Sequence, residues 1–260
     1  MKIIPLPPIY ADELKHGLFW CEFMSSNLKN LLKYREKISI LDFGCGGGGL
    51  LAALTLNGFK CEGVEINTKA IERCQEWQTI LPKVTLQVLH YDEFCQNNEK
   101  YNLVIFRDVV EHIEDDKILR LVLQRASAVF IATPNRLSIP LLFKDPHSGR
   151  PFISILNRKQ VEFLNRLTDR ERNWRNEEYA MRKNYINVQL YSLWRLRNIL
   201  KTEGFSEIIN LSMIYYKSRQ ERRFLQLLSW LLPNFFFNSV VSPEIVLYAS
   251  KGYGVFESTF

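Results

Sequence analysis

From residue 38 to residue 133 short apolar runs alternate with amphipathic stretches. "ISILDF" (38–43) is apolar at nearly every position and too short for a helix, which predicts a strand buried on both faces. "GGLLAALTLNG" follows as a helix with Gly58 as its stop. "FKCEGVEI" (59–66) predicts a second strand, and "NTKAIERCQEW" a helix that Asn67 or Thr68 can cap. "VTLQVL" (84–89) and "YNLVIFRD" (101–108) read as a third and a fourth strand, "DDKILRLVLQRA" as an amphipathic helix, and "AVFIAT" (128–133) as a fifth strand. Strands returned through helices pair in parallel, with helices on both faces of the sheet. The fold class expected is α/β.

The flanks break this rhythm. Residues 1–37 predict an N-terminal helical segment, with "PLPP" as a stiff opening and helical apolar spacing over 12–35. After Pro134 the alternation stops, and about 136–189, with "DPHSGRPF" and then "NRKQVEFLNRLTDRERNWRNEEYAMRK", reads as a basic helical insertion. Regularity returns with the helix "LYSLWRLRNILKTEGF", stopped by Gly204, and the strands "SEIINLSMIYYK" and "EIVLYASK" (244–251). The main domain expected is therefore 38–251, with 252–260 as a tail. Between the last two strands, residues 224–241 carry Gln226, Ser229, Pro233, Asn234, Asn238 and Ser239. A membrane span needs roughly 20 mostly apolar residues, so this stretch is too broken to be one. Arg219, Arg222 and Arg223 precede it, so 219–241 is a candidate for peripheral contact with a membrane, or else a helix packed over the sheet or substrate site.

Composition narrows the classes. A content of 47% hydrophobic and 24% charged residues is ordinary for a soluble globular protein. Cys21, Cys45, Cys61, Cys74 and Cys95 are odd in number and form no C-x-x-C pair, which argues against a disulfide framework and a zinc site; no metal is expected. The opening residues hold no long apolar run, so no signal peptide is read and a cytoplasmic location is expected, with 219–241 as the candidate for peripheral contact at the inner face of the membrane. The net charge of +6 is uneven: Arg150–Arg223 holds 16 Lys/Arg against 8 Asp/Glu, leaving the remainder slightly acidic. That asymmetry fits an anionic partner (a phosphorylated substrate, nucleic acid or a membrane surface) or a solvated helical face.

The chemistry starts at "GCGGGG" (44–49), which satisfies two patterns. Gly44, Gly46 and Gly49 make G-x-G-x-x-G, a dinucleotide fingerprint, while Gly44, Gly46 and Gly48 make G-x-G-x-G, the loop of S-adenosylmethionine (SAM) enzymes. Glu65, about 20 residues on, can bond ribose hydroxyls in either. Asp42 discriminates. A pyrophosphate at the helix N-terminus would be repelled by an acid beside the loop, whereas a sulfonium and an ammonium would be stabilised by it. Asp92 after the third strand is placed for an adenine amino group, and "FRDVVEHIED" sits at the carboxyl edge where open α/β sheets bind ligands.

On "ILDFGCGGG", "GVEI", "HYDEF", "FRDVVEHIED" and "LRNILKTEGF" the chain resembles the class I SAM-dependent methyltransferases, nearest the broad group of ubiquinone-type O-methyltransferases and bacterial lipid- and glycan-pathway methyltransferases. The resemblance implies a Rossmann-like seven-stranded, mostly parallel sheet in the order 3-2-1-4-5-7-6, with the last strand antiparallel. It implies that Asp42, Gly44, Cys45, Gly46 and Gly48 surround the methionine part of SAM. Glu65 and Ile66 would lie at the ribose, Tyr91, Asp92 and Glu93 at the adenine, and Arg107 and Asp108 at the methionine end. Arg107 departs from expectation, as a cation beside a cationic cofactor; its side chain either points away or meets the SAM carboxylate.

Methyl transfer from a sulfonium is an in-line displacement in which the protein mainly positions the reactants, with a general base where the acceptor must lose a proton. His112, and His147 paired with Asp145, are the candidate bases. Glu111 is placed either to orient His112 or to cap the following helix, and the aromatics Phe152, Trp174, Tyr179, Tyr185, Tyr191 and Trp194 either line an acceptor pocket or pack in the core. The acceptor expected is a small molecule or a lipid- or glycan-linked group, methylated at oxygen. A nucleic-acid methyltransferase is the alternative, although the Asn/Asp-Pro-Pro-aromatic tetrad of base-amine enzymes is replaced by "RDVVEH"; a non-catalytic SAM-fold protein is a third reading.

Overall fold

The computed structural model describes residues 6–113, 115–144, 151–157, 159–161, 163–164, 190–219 and 222–252. Its strands are β1 (Ser39–Phe43), β2 (Lys60–Glu65), β3 (Gln87–His90), β4 (Tyr101–Arg107), β5 (Ala126–Pro134), β6 (Glu207–Asn210) and β7 (Glu244–Ser250). They form a seven-stranded sheet in the order β3-β2-β1-β4-β5-β7-β6. β1 pairs in parallel with β2 and β4, β2 in parallel with β3, and β7 runs antiparallel to β6. The expected topology is the one observed.

The chain divides into two compact units. The first holds β1–β4 and helices α1 (Pro8–Asn27), α2 (Lys29–Leu32), α3 (Gly49–Leu56), α4 (Thr68–Ile80) and α5 (Tyr91–Gln96). Ile40, Leu41, Asp42 and Phe43 of β1 are all buried, as a strand covered on both faces requires. Asn67 caps α4 by accepting the Lys69 N–H at 3.0 Å, and Gly58 ends the α3 turn with φ +79°. Tyr10, Ala52, Trp77 and Val84 make one core cluster, so α1, α3 and α4 share a single apolar seam.

The second unit holds the end of β5, β6, β7, and helices α6 (Asp116–Gln124), α7 (Ile139–Phe143), α8 (Leu193–Thr202), α9 (Ser212–Ser218) and α10 (Arg223–Leu231). Arg195 on α8 grips Asp116 of α6 through both carboxylate oxygens, at 3.1 and 2.9 Å, and the Tyr191 hydroxyl donates to the same group at 2.9 Å.

Two expectations are corrected. "SEIINLSMIYYK" is not one strand: the ladder stops at Asn210, and Ser212–Ser218 is helix α9. Asn210 Oδ1 accepts the Ser212 N–H at 2.8 Å, a side-chain turn that competes with continued pairing, and Ser212 Oγ then accepts the Val246 N–H of β7 at 2.8 Å. Met213 and Tyr216 are buried at helical spacing while Ile214 stays exposed. The third strand also starts later than read, at Gln87, because the Val84 N–H is spent in a turn on the Leu81 carbonyl.

Candidate functional site

The first unit builds a loop with one open face. Past β1, the Gly44 and Cys45 N–H groups both donate to the Val64 carbonyl, at 2.7 and 3.1 Å, and the chain turns left-handed at Gly44, Gly46 and Gly48 (φ +76°, +55° and +82°) before α3 starts at Gly49. A side chain at Gly46 would meet nothing within 4 Å, so that face of the loop is open to a ligand. The inner face is fastened. Trp77 Nε1 donates to the Gly47 carbonyl at 2.7 Å, and the Cys74 thiol lies 3.2 Å from the Gly46 carbonyl. The Cys45 side chain is buried with Leu51 and Cys74, so it faces the core and offers only its backbone to the open side.

Glu65 ends β2 and accepts three backbone N–H bonds: from Gly46 at 2.9 Å, Ile66 at 2.8 Å and Asn67 at 2.9 Å. Its carboxylate therefore ties the glycine loop to the β2 terminus, and of its roughly four acceptor positions one remains. Ile66 beside it is exposed. Asp42, opposite Gly63 and Ile105 in the sheet, is 2% exposed, and its Oδ2 has no hydrogen-bond partner among the described residues. Burial pushes its carboxyl up to about 6, against the pull of the Arg107 guanidinium and with the added push of Glu65. Arg107 is thus the cation that partly offsets a buried acid.

At the end of β3 the structure adds a residue that the sequence reading passed over. His90 Nε2 donates to the Ile66 carbonyl at 3.2 Å, while Nδ1 accepts the Asp92 N–H at 3.3 Å. The ring spans the termini of β2 and β3 and presents Tyr91, Asp92 and Glu93 in the first turn of α5. The Tyr91 ring lies edge-on to Phe43 at 6.2 Å, and burial together with the Cys95 hydrogen bond holds its hydroxyl up at about 12. The Asp92 side chain is exposed. The histidine's strand-terminal H-x-D pattern was the available signal. Cys74 and Trp77 carried none, because nothing local marks which helix face supports a loop.

In the second unit Asp108 has φ +55°, a left-handed conformation unusual for a side-chain-bearing residue, and its N–H donates to the Ala132 carbonyl at 2.8 Å. A single turn of 3₁₀ helix, Val110–His112, follows. Glu111 is fully buried. It accepts a 2.7 Å bond from the Thr133 hydroxyl, and its other oxygen has no partner among the described residues. Burial raises its carboxyl to about 8, and the neighbouring Asp108 and Glu244 push the same way. At the start of α6 it is Asp115 that accepts the Lys117 N–H, at 2.9 Å, so the capping role considered for Glu111 falls to Asp115. His112 is half-buried in the same turn. Asp145, His147, Trp174, Tyr179 and Tyr185 lie outside the described residues, as does most of the 136–189 stretch. Trp194 is exposed on α8. Among the described residues no cluster of His, Cys, Asp and Glu is arranged to hold a metal.

A family model described as "Methyltransferase domain" matches residues 14–209. The chain is 30% identical over 130 residues to the ubiquinone biosynthesis O-methyltransferase of Rickettsia prowazekii, covering 47% of this chain and 50% of that protein. It is 31% identical over 110 residues to the same-named protein of Rickettsia canadensis, covering 39% and 45%. The chain thus spans about half the length of the curated relatives it matches. Among solved structures, the magnesium protoporphyrin IX methyltransferase of Synechocystis PCC 6803 with bound SAH aligns at a TM-score of 0.52 and 14% identity, covering 96% of this chain and 90% of that one, a likeness of fold. With the family model running through most of the strands of a sheet in this order, the chain belongs to the methyltransferase domain family.

Proposed function

We propose that this chain is a SAM-dependent methyltransferase acting on a small-molecule or lipid-linked acceptor, at oxygen. The observation that carries it is Asp42: a buried carboxylate, one oxygen unpartnered, at the strand end beneath a glycine loop with an open face. An anionic cofactor would be repelled there, and a cationic one supplies the missing charge. The residues fit SAM, with Asp42, Gly44, Cys45, Gly46 and Gly48 around the methionine part. The remaining acceptor position of Glu65 serves a ribose hydroxyl with Ile66 beside it, Tyr91, Asp92 and Glu93 border the adenine, and Arg107 and Asp108 close the methionine end. When bound, SAM supplies a methyl group on a sulfonium. The chain's own residues orient it and exclude water, and His112 is the candidate to take the acceptor's proton. The ubiquinone-pathway names of the relatives support oxygen as the acceptor atom.

Titration calorimetry with SAM tests the reading. Asp42→Ala and Glu65→Ala are each expected to weaken SAM by about tenfold or more. A cationic ligand favours ionised Asp42, so affinity should rise with pH up to about 6 and level off above it. Unchanged affinity in both variants would mean that the site is misplaced. A labelled-methyl assay on lipid, small-molecule and RNA fractions then identifies the acceptor; transfer into RNA alone would refute the substrate class.

A further inference from the structure

Helix α10 half-buries Leu225 and Leu228 but leaves a second apolar face exposed. It buries Ser229, whose hydroxyl donates to the Gln226 carbonyl at 2.6 Å, and turns Gln226 inward to the Lys217 carbonyl at 3.0 Å. Meanwhile Phe224, Leu227, Trp230 and Leu231 stand 55–71% exposed. Positions 224, 227 and 231 recur at helical spacing and share one face. Phe235, just past Pro233, adds a ring that is 81% exposed. Single exposed apolar residues are common, but a run of five large ones is not.

Positive charge borders the same face. Between residues 217 and 241 stand Lys217, Arg219, Arg222 and Arg223 against the single acid Glu221. The Lys217 ammonium sits 4.4 Å over the Trp230 ring, which places a cation and an indole at one spot. Arg222 is engaged by Glu244 at 3.4 Å, while Arg223 is exposed on α10 itself.

We propose that this face docks on an anionic bilayer surface. Phe224, Leu227, Trp230, Leu231 and Phe235 enter the boundary between headgroups and acyl chains, with Lys217 and Arg223 against lipid phosphates. Apolar and aromatic side chains on one face with basic residues beside them are the pattern of an interfacial helix. A second copy of the chain is a poorer occupant, because two-fold pairing would bring the two sets of cations together, whereas anionic lipids neutralise them. Among the described residues no helix is long and apolar enough to cross a membrane, so the contact is at the surface. The inference stands apart from the identity of the methyl acceptor.

Flotation of the full chain with vesicles of phosphatidylcholine alone, and with roughly 30% phosphatidylglycerol added, tests it. The protein should float with the anionic vesicles, less with the neutral ones, and less as salt rises. The double variant Phe224→Ser/Trp230→Ser should bind at least about tenfold more weakly at an unchanged melting temperature, since both side chains are exposed. Tryptophan emission should shift to the blue on vesicle addition, and Trp230→Phe should lose that shift. The proposal is overturned if the parent stays unbound on anionic vesicles, or if the double variant binds as the parent does. A parent that dimerises through this face, with the double variant monomeric, would also overturn it and assign the face to a second copy.

Discussion

A Gly17→Val variant is expected to unfold well below the parent protein and to bind SAM weakly. Gly17 lies in the middle of α1, where glycine costs about 1 kcal/mol relative to alanine and so needs a packing reason. The reason is α3. A Cβ on residue 17 would lie 2.1 Å from the Gly49 carbonyl oxygen, 2.6 Å from its carbon and 3.0 Å from the Leu50 Cα. These are backbone atoms of the turn that follows the glycine loop, and they cannot swing aside. The helix must lift, and it would strain the Arg73–Glu13 pair (2.9 Å), the Tyr10–Glu76 hydrogen bond and the edge-on Tyr10–Trp77 contact. Trp77 also holds the Gly47 carbonyl, so the disturbance reaches the loop. Overpacking costs about 1–3 kcal/mol or more, and the upper end applies where nothing flexible can yield. Urea unfolding with Gly58→Ala as comparator checks this. Gly58 has φ +79° but open space around it, so its substitution should cost only about 1–2 kcal/mol of backbone strain and leave SAM affinity alone. A Gly17→Val protein as stable as the parent would show that α1 does not seat on the loop this closely.

Glu111→Gln is expected to be close to the parent in stability at pH 5 and more stable than it at pH 9. The buried Glu111 carboxyl keeps its proton up to about pH 8, while in the unfolded chain it releases it near the ordinary glutamate value of 4.5. Between those two pH values the folded state holds a proton that the unfolded state has lost. Its contribution to stability is therefore full below about 4.5 and declines as pH rises toward 8, by at most about 1.4 kcal/mol per pH unit. Glutamine keeps the shape, can still accept the Thr133 hydroxyl, and cannot ionise. Asp42, raised to about 6, leaves a smaller decline at lower pH in both proteins. Chemical unfolding at pH 5, 7 and 9 gives the answer, and a parent that grows more stable from pH 6 to pH 9 would contradict the buried, proton-holding state of Glu111.

Both predictions concern contacts that local pattern does not contain, and this marks how far the chain could be read in advance. "ISILDF", "YNLVIFRD" and "AVFIAT" announced strands because burial on both faces demands apolar residues throughout, and β1, β4 and β5 lie there. The glycine loop announced itself because three positive φ angles nearly require glycine. Asp42 was legible because an acid inside an apolar run is costly and conspicuous. By contrast, "LSMIYYK" is apolar enough for either a strand or a helix, and the Asn210 turn settled it.

The sequence by itself determined the alternation of strand and helix, hence the parallel sheet, and the acid-flanked loop that selects the cofactor's charge, because these follow from each segment's own faces and backbone angles. Only the tertiary structure decided that Gly17 meets Gly49, that His90 spans to Ile66, that Glu111 turns to Thr133, and that α10 hides a serine and shows its aromatics. Such pairings join residues far apart in the chain. A residue's chemistry says what contact it can make, and only the packed neighbours say which contact it does make.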